Sequence, residues 1–255
     1  MRVFDTSFDY KTDTPARTRP DADRDSQRLR LDHELLWSKE LSSGVHFRPS
    51  VPILPRERRG NYLMFEDTAG GRFVYGSDAI TNSYGRWLRP KSLVDAITSL
   101  NEEQQALYLN PTYTIGSAMI WPVRSKDRPT MNTARGLRLR IADRMDLTLE
   151  CIRRHYSGEP ASPLADVINA YADFFALFDG FSEFVEFFHL QDLVTPDYDA
   201  VEFHLPFDNF KRSGAPSTTE DYVTYREATL KFIEARQRRM AEWVMEHHPE
   251  IEVRH

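Results

Sequence analysis

The pattern of hydrophobic positions changes its period near Asn132. Between residues 45 and 125, apolar residues form short runs that are rich in β-branched and aromatic side chains: VHFRP, YLMFE, RFVYG and TYTIGSAMIW. Runs of this kind, divided by glycine and proline, predict β-strands. From residue 133 onward, apolar residues recur every three or four positions, which predicts helices. The sequence therefore predicts an α+β fold, in which an N-terminal antiparallel or mixed sheet with short helices precedes a helical C-terminal half packed on it.

The first 30 residues differ from the rest of the chain. They are rich in charged residues and have few apolar ones, which predicts a loosely ordered N-terminal arm with Phe4 and Phe8 as candidate docking residues. The whole chain has 255 residues, of which 40% are hydrophobic, enough for a packed core. Residues 31–255 are predicted to form a single domain, sheet-rich over 31–130 and helical over 131–255.

Residues 132–156 are predicted to form one continuous amphipathic helix. One stripe of this helix is apolar, and a second stripe on its inner side carries Arg144, Thr148, Cys151 and His155. An arginine cannot lose its charge, so Arg144 must pair with a carboxylate or face a ligand. Both alternatives remain open at this point.

Residues 156–210 are acidic and aromatic. They contain eleven Asp or Glu, no Lys or Arg, and ten of the sixteen Phe residues. Helical periodicity predicts that five of these phenylalanines lie in the core: Phe174, Phe175, Phe178, Phe184 and Phe188. Asp192 continues this apolar face and needs a cationic partner, for which Arg144 is the predicted source.

Composition excludes several classes of function. The net charge of −6 argues against a duplex-DNA-binding protein. The single cysteine excludes an internal disulfide and a cysteine-rich zinc site, and the histidines and aspartates match no metal-ligand spacing. No dinucleotide or nucleotide-triphosphate motif indicates a cofactor. No apolar leader or membrane-spanning run is present, which predicts a cytoplasmic protein without a membrane partner.

Six arginines lie between Arg135 and Arg154. Together with Asn132 and His155, Arg135 and Arg144 are predicted to line a cleft for a small phosphate-bearing nucleotide or an RNA end. Lys39 is a candidate anion contact, and Asp192 completes the set of candidate binding residues. The alternative is a non-catalytic interaction protein whose acidic aromatic face meets a basic protein partner. Pairing of Arg144 with a carboxylate in the core would favour this alternative. An unpaired guanidinium that faces an open cleft would favour the ligand-binding hypothesis.

Arg28 and His33 have the spacing of an arginine, four residues and a histidine that occurs in a class of helical ribonucleases. Arginine and histidine are frequent enough in this chain for chance to supply such a pair. The motif is therefore a weak indication of ribonuclease activity.

Several segments together resemble a family of bacterial proteins of unknown function: LLWSKEL at 35–41, YTIGSAMIWP at 113–122, MNTARG at 131–136, ADRMDLTLECIRRHY at 142–156 and FFALFDGFSEFVEFFHLQDLV at 174–194. The resemblance extends from about residue 26 to residue 240. It implies a bacterial origin and an intracellular product. It assigns no catalytic residue, cofactor or substrate.

Overall fold

The structure is a computed structural model, and it describes most of the chain. The described residues are 2–16, 21–48, 62–67, 72–81, 84, 100–103, 110–123, 130–159 and 162–255. Within them the predicted α+β fold is confirmed, with strands mostly in the N-terminal half and helices in the C-terminal half. The short helices predicted for 79–87 and 92–109 lie largely outside the described residues.

Over the described residues, seven strands form two sheets. The strands are β1 (Val3–Asp5), β2 (Lys39–Glu40), β3 (His46–Arg48), β4 (Tyr62–Asp67), β5 (Arg72–Ala79), β6 (Ala118–Val123) and β7 (Glu252–Arg254). Strands β2 to β6 follow one another in a five-stranded antiparallel sheet, in which Ser77 lies opposite Ile120. The strand predicted from residue 112 begins only at Ala118, because residues 110–117 form two short 3₁₀ turns.

The described helices differ widely in length. They are α1 (Ala22–Asp25), α2 (Gln27–Trp37), α3 (Met131–Leu137), α4 (Met145–Tyr156), α5 (Ala165–Ala170), α6 (Ala172–Phe175), α7 (Phe181–Phe187) and α8 (Thr219–His247). Helix α8 begins with a capping box in which Thr218 and Asp221 each accept a backbone N–H of the other. The sequence predicts this box one residue earlier, at 217–220.

The predicted continuous helix over 132–156 is wrong. Helix α3 ends at Leu137 and α4 begins at Met145, and in the turn between them Ala142 and Asp143 have φ values of 49° and 59°. The turn brings Asp143 back to Arg135, whose main-chain oxygen accepts the Asp143 N–H at 2.9 Å. Along a straight helix these two residues would lie about 12 Å apart. Arg144 consequently stands at the N-cap of α4.

The first strand packs against the end of the chain. Strand β1 pairs in parallel with β7, and the Thr6 N–H donates to the Arg254 oxygen at 3.0 Å. The side chain of Phe4 is fully buried. The sequence predicts a loosely ordered arm here, because a strand whose partner lies about 250 residues away leaves no local signal in the sequence.

Aromatic side chains join the sheet to the helices. The five phenylalanines predicted to lie in the core are all buried, which confirms that prediction. The ring of Tyr75 on β5 lies 5.7 Å from Phe174, and Phe47 on β3 lies 5.2 Å from Phe187. One buried cluster therefore contains residues from the sheet and from α3 to α8.

Helix α8 lies close to the turn that precedes β6. A Cβ atom on Gly116 would lie 2.6 Å from the oxygen of Ile233, so only glycine fits this position. The neighbouring Arg236 is fully buried and donates to the oxygens of Gly116, Ala118 and Phe188 at 2.9 to 3.1 Å. This guanidinium fixes α8 to the sheet and to the end of α7.

Candidate functional site

Arg144 is part of a closed ion pair. Its Nε donates to Asp146 Oδ1 at 3.0 Å, its second nitrogen also contacts Asp146, and Nη1 donates to the Gly214 oxygen at 3.0 Å. Both side chains are almost completely buried. The predicted pairing of Arg144 with Asp192 is wrong, because Asp192 pairs with Arg239 on α8 at 2.9 Å. The break before α4 moves Arg144 away from the position that a continuous helix would give it.

Burial raises the pKa of Asp146, but Arg144 and the backbone N–H of His204 outweigh it, so the pKa of this carboxyl lies below its usual value. Asp146 is therefore an ionised, fully satisfied carboxylate, and its ion pair with Arg144 serves structure.

The other residues of the predicted cleft are dispersed. The His155 ring packs on Tyr156 and Phe175 with centroids 5.6 Å from each, and burial lowers its pKa. Asn132 lies in the first turn of α3, where its Oδ1 is buried and has no hydrogen-bond partner among the described residues. The described contacts bring neither residue to Arg144, and the arginine-lined cleft stays a prediction.

Arg135, which the sequence predicts to bind a ligand, lies within a cluster of polar side chains. Its guanidinium is fully buried and lies 3.4 Å from Asp78 Oδ2 and 3.2 Å from Asp143 Oδ1, while Nε donates to Thr148 Oγ1 at 3.1 Å. The side chains of Asp78 and Asp143 are 30% and 24% exposed. A buried cation thus holds two carboxyl groups that a ligand can reach from solvent.

A chain of hydrogen bonds joins the core to Asp23. The Trp37 indole N–H donates to His33 Nδ1 at 2.8 Å, His33 Nε2 lies 2.9 Å from Ser77 Oγ, and the Ser77 hydroxyl donates to Asp23 Oδ1 at 3.2 Å. An indole nitrogen can only donate, so the neutral imidazole carries its proton on Nε2 and donates to Ser77. The Ser77 proton is therefore directed at Asp23.

Burial sets the protonation of these groups. It raises the pKa of Asp23 to about 7, with Asp21 adding to the shift and Ser77 opposing it. Burial and the charge of Asp143 raise the pKa of Asp78 well above its usual value, although Arg135 lowers it. Burial also raises the pKa of Asp143, which Arg135 again lowers. Asp23, Asp78 and Asp143 with Arg135 and Ser77 are called the carboxyl cluster below.

Burial lowers the pKa of His33 to about 3, and Arg236 adds to this shift. The imidazole is therefore neutral at physiological pH. The hydrogen-bond direction from Trp37 to Asp23 holds over the whole physiological range.

The backbone beside the carboxyl cluster is held in unusual conformations. Tyr84, Ala142 and Asp143 all have positive φ values between 49° and 59°, which side chains with a Cβ rarely adopt. The Tyr84 hydroxyl donates to the Ala142 oxygen at 2.8 Å. Strained residues of this kind gather at functional sites, where the surrounding structure holds a side chain in place.

Lys39 lies in a separate aromatic setting. Its Nζ is 2.8 Å from His189 Nε2 and 3.2 Å from the Phe187 oxygen, and it lies over the Trp243 ring at 4.3 Å. Burial, with a contribution from Arg236, lowers the pKa of Lys39 to about 7. The amine is directed at acceptors within the protein, and its predicted role as an anion contact remains a prediction.

The structure also bears on metal and membrane binding. Among the described residues, no three side chains of His, Cys, Asp or Glu are placed to hold a metal ion. Over the same residues, none of the helices combines the length and the apolar character that crossing a membrane requires.

The fold and the carboxyl cluster define an α+β protein with a buried polar centre between its sheet and its helices. The chain belongs to a family of unknown function, DUF6994, whose model matches residues 4–240. No curated protein and no solved structure matches the chain.

Sequence reasoning missed Asp23, His33, Ser77 and Asp78 as members of one site. A signal was present, because the apolar run that ends at Gly76 is followed by the polar pair Ser77 and Asp78 inside the same strand. The spacing of Arg28 and His33 suggested that these two residues act together, but Arg28 pairs with Asp32 at 3.1 Å. His33 faces Ser77 instead.

Proposed function

We propose that the carboxyl cluster is an acid–base catalytic centre for a neutral or cationic substrate. The observation that carries the proposal is the pair Asp78 and Asp143, which share the buried guanidinium of Arg135 and are both partly exposed. Burial raises the pKa of both groups. A protonated carboxyl beside an ionised one is the arrangement that general acid–base catalysis requires near neutral pH.

The two carboxyls differ in what surrounds them. Burial raises the pKa of Asp78, and the charges of Asp143, Asp23 and Asp21 raise it further. Burial also raises the pKa of Asp143, but there the charge of Arg135 opposes the shift. Asp78 is therefore the proton donor and Asp143 the proton acceptor of the pair. Ser77 donates its hydroxyl proton to Asp23, whose charge contributes to the raised pKa of Asp78.

The charge of the centre selects the ligand. Asp143, Asp23 and Asp21 all raise the pKa of Asp78, which lies against the guanidinium of Arg135. Excess carboxyl groups repel a phosphate and attract an amine or a hydroxyl-rich neutral molecule.

Several sequence-based expectations stay predictions beside this proposal. The density of arginine supports the phosphate-bearing ligand or RNA end, although Arg135 and Arg144 are already paired with carboxylates. The closed ion pair at Arg144 favours the protein-interaction alternative, whereas the burial of the phenylalanines removes most of the predicted aromatic face. Bacterial origin rests on the resemblance alone, and cytoplasmic location likewise stays a prediction.

A ligand screen by thermal shift tests the proposal, because a ligand of the native state raises its stability. One panel contains amines, amides and neutral sugars, and the other contains nucleotides, sugar phosphates and RNA oligonucleotides. We expect members of the first panel to raise the melting temperature of the wild type. This shift should be lost in Asp78→Asn and Asp143→Asn and kept in Asp166→Asn, since Asp166 is 69% exposed and pairs with Arg138.

Compounds that bind are then followed for turnover by mass spectrometry. We expect kcat/KM to fall by about 100-fold or more in Asp78→Asn, the usual effect of removing a general acid. Binding confined to the phosphate panel, with an unchanged shift in both cluster variants, would refute the proposal.

A further inference from the structure

The surroundings of Lys39 differ from those of an ordinary surface lysine. Lys39 lies on the edge strand β2, and its Nζ contacts the His189 imidazole, the Phe187 oxygen and the Trp243 ring. Trp37 and Phe187 place two further rings at 5.4 and 5.3 Å from Nζ. Over the described part of the chain, no carboxylate lies within ion-pair distance of this amine.

His189 is prepared to exchange a proton with Lys39. It is 4% exposed and has a φ of 54°, a strained backbone conformation that aims the ring at Lys39. Burial, Lys39 and Arg236 hold its pKa well below the usual value, so the imidazole is neutral. With its proton on Nδ1, the ring offers the Nε2 lone pair to the amine at 2.8 Å.

Access to the amine comes from the side of α8. Lys39 and Trp243 are both partly exposed, whereas Trp37 and Phe187 are buried beneath them. The partly exposed ring of Trp243 therefore marks the side from which we expect a small molecule to approach Nζ.

We propose that Lys39 is a nucleophilic amine that forms an imine with a small aldehyde or ketone. The Nζ lone pair adds to the carbonyl carbon, and the π electrons of the carbonyl move to its oxygen, which takes up a proton. His189 Nε2 accepts one proton from the nitrogen and returns it as the hydroxyl leaves as water. The second proton of the nitrogen passes to solvent, which replaces the proton that the carbonyl oxygen took up from solvent. One amine and one carbonyl yield one imine and one water, and hydrolysis reverses the step.

This site is separate from the carboxyl cluster, although Trp37 touches both. Its indole N–H bonds His33, and its ring lies against Lys39. The lowered pKa of Lys39, about 7, supports the proposal because about half of the amines are unprotonated at neutral pH. A neutral amine is the nucleophilic form.

Reductive trapping tests the proposal on the full chain. The protein is treated with propionaldehyde and sodium cyanoborohydride from about pH 6 to pH 10, and peptide mass spectrometry quantifies the label at each lysine. Lys11, Lys211 and Lys231 are exposed and serve as internal controls. At pH 7 we expect Lys39 to react at least about 10-fold faster than Lys231, with a midpoint near pH 7, whereas the controls react only at much higher pH.

The role of His189 has its own matched comparison. His189→Gln should slow labelling of Lys39 by about 10-fold or more, and the exposed His255→Gln should leave it unchanged. Circular dichroism verifies that both variants are folded. Slower labelling of Lys39 than of Lys231 at pH 7, or a midpoint above about pH 9, overturns the proposal. An unchanged rate in folded His189→Gln overturns the role of the imidazole.

Discussion

Arg144 and Asp146 are two residues apart in the chain and are almost completely withdrawn from water. Bringing two charges into the core costs solvation free energy. The ion pair, the hydrogen bond that Arg144 donates to the Gly214 oxygen and the one that Asp146 accepts from the His204 N–H offset this cost. Loss of one partner leaves the other charge buried and unpaired. The pair is therefore costly to break, whatever its net contribution to folding.

Replacing Arg144 by Ala should lower the free energy of unfolding by about 3 to 5 kcal/mol, because Asp146 is left uncompensated. The double variant Arg144→Ala with Asp146→Asn should recover part of this loss. Arg254→Ala is the control, since the Arg254–Glu252 pair is exposed and should contribute less than about 1 kcal/mol. Urea unfolding measures all three. A loss below 1 kcal/mol in the single variant contradicts the buried pair.

The pKa of Asp23 should make stability depend on pH. In the folded protein this pKa is about 7, against 3.8 for an unperturbed carboxyl, so between about pH 4 and pH 7 the folded state binds more protons than the unfolded state. The contribution of Asp23 is present below about pH 4 and is lost as pH rises to about 7.

Asp23→Asn removes this dependence. Relative to the wild type, its free energy of unfolding should increase by about 1 to 3 kcal/mol between pH 4 and pH 8. Asp166→Asn should not show this increase, because its bond with Arg138 lowers the pKa of Asp166 instead. A constant difference between Asp23→Asn and the wild type would show that the carboxyl is ionised throughout.

At the scale of elements, helices α5 to α7 are short and are held by their aromatic side chains. The rings of Phe178, Phe184 and Phe188 contact one another edge to face or tilted, with centroids 5.0 to 5.8 Å apart. Helices of four to seven residues have little stability of their own. Packing of these rings therefore determines where the helices form.

Phe184→Ala should lower the free energy of unfolding by about 3 to 5 kcal/mol, because it leaves a cavity among these rings. Phe207→Ala should have a smaller effect, since Phe207 is only partly buried and stacks on Phe203 near the surface. Chemical unfolding compares the two variants. Equal and near-neutral effects would instead mark the phenylalanines as an exposed binding face.

At the scale of the whole molecule, the pairing of β1 with β7 ties the first strand to the segment that follows α8. Phe4 lies inside this junction, whereas Phe8 is only partly buried. The described residues near the start of the sequence therefore belong to the core.

Phe4→Ala should destabilise the protein by about 3 to 5 kcal/mol, as expected for an aromatic residue in a core. Phe8→Ala should cost clearly less, because part of that residue is already in contact with water. Urea unfolding of the two variants separates a packed first strand from a loose arm. A negligible effect of Phe4→Ala would support the loose arm.

The sequence by itself determined the features that depend on residues three or four positions apart in the chain. The change of hydrophobic period near Asn132 predicted the α+β order, the phenylalanine spacing predicted the core, and the capping box predicted the start of α8 to within a residue. Each of these signals is local. A side chain meets its neighbours along the same helix or strand wherever that element lies in the molecule.

Only the tertiary structure decided which charges meet. Arg135 and Asp78 are 57 residues apart and Ser77 and Asp23 are 54 residues apart, so their contacts depend on how β5 lies against α1 and α3. The break after α3 also depends on a contact made by folding. The contact of Asp143 with Arg135 outweighed the helical pattern of residues 138–144. Hydrophobic periodicity specifies which face of an element is buried, but a buried charge takes the partner that the packed elements bring to it.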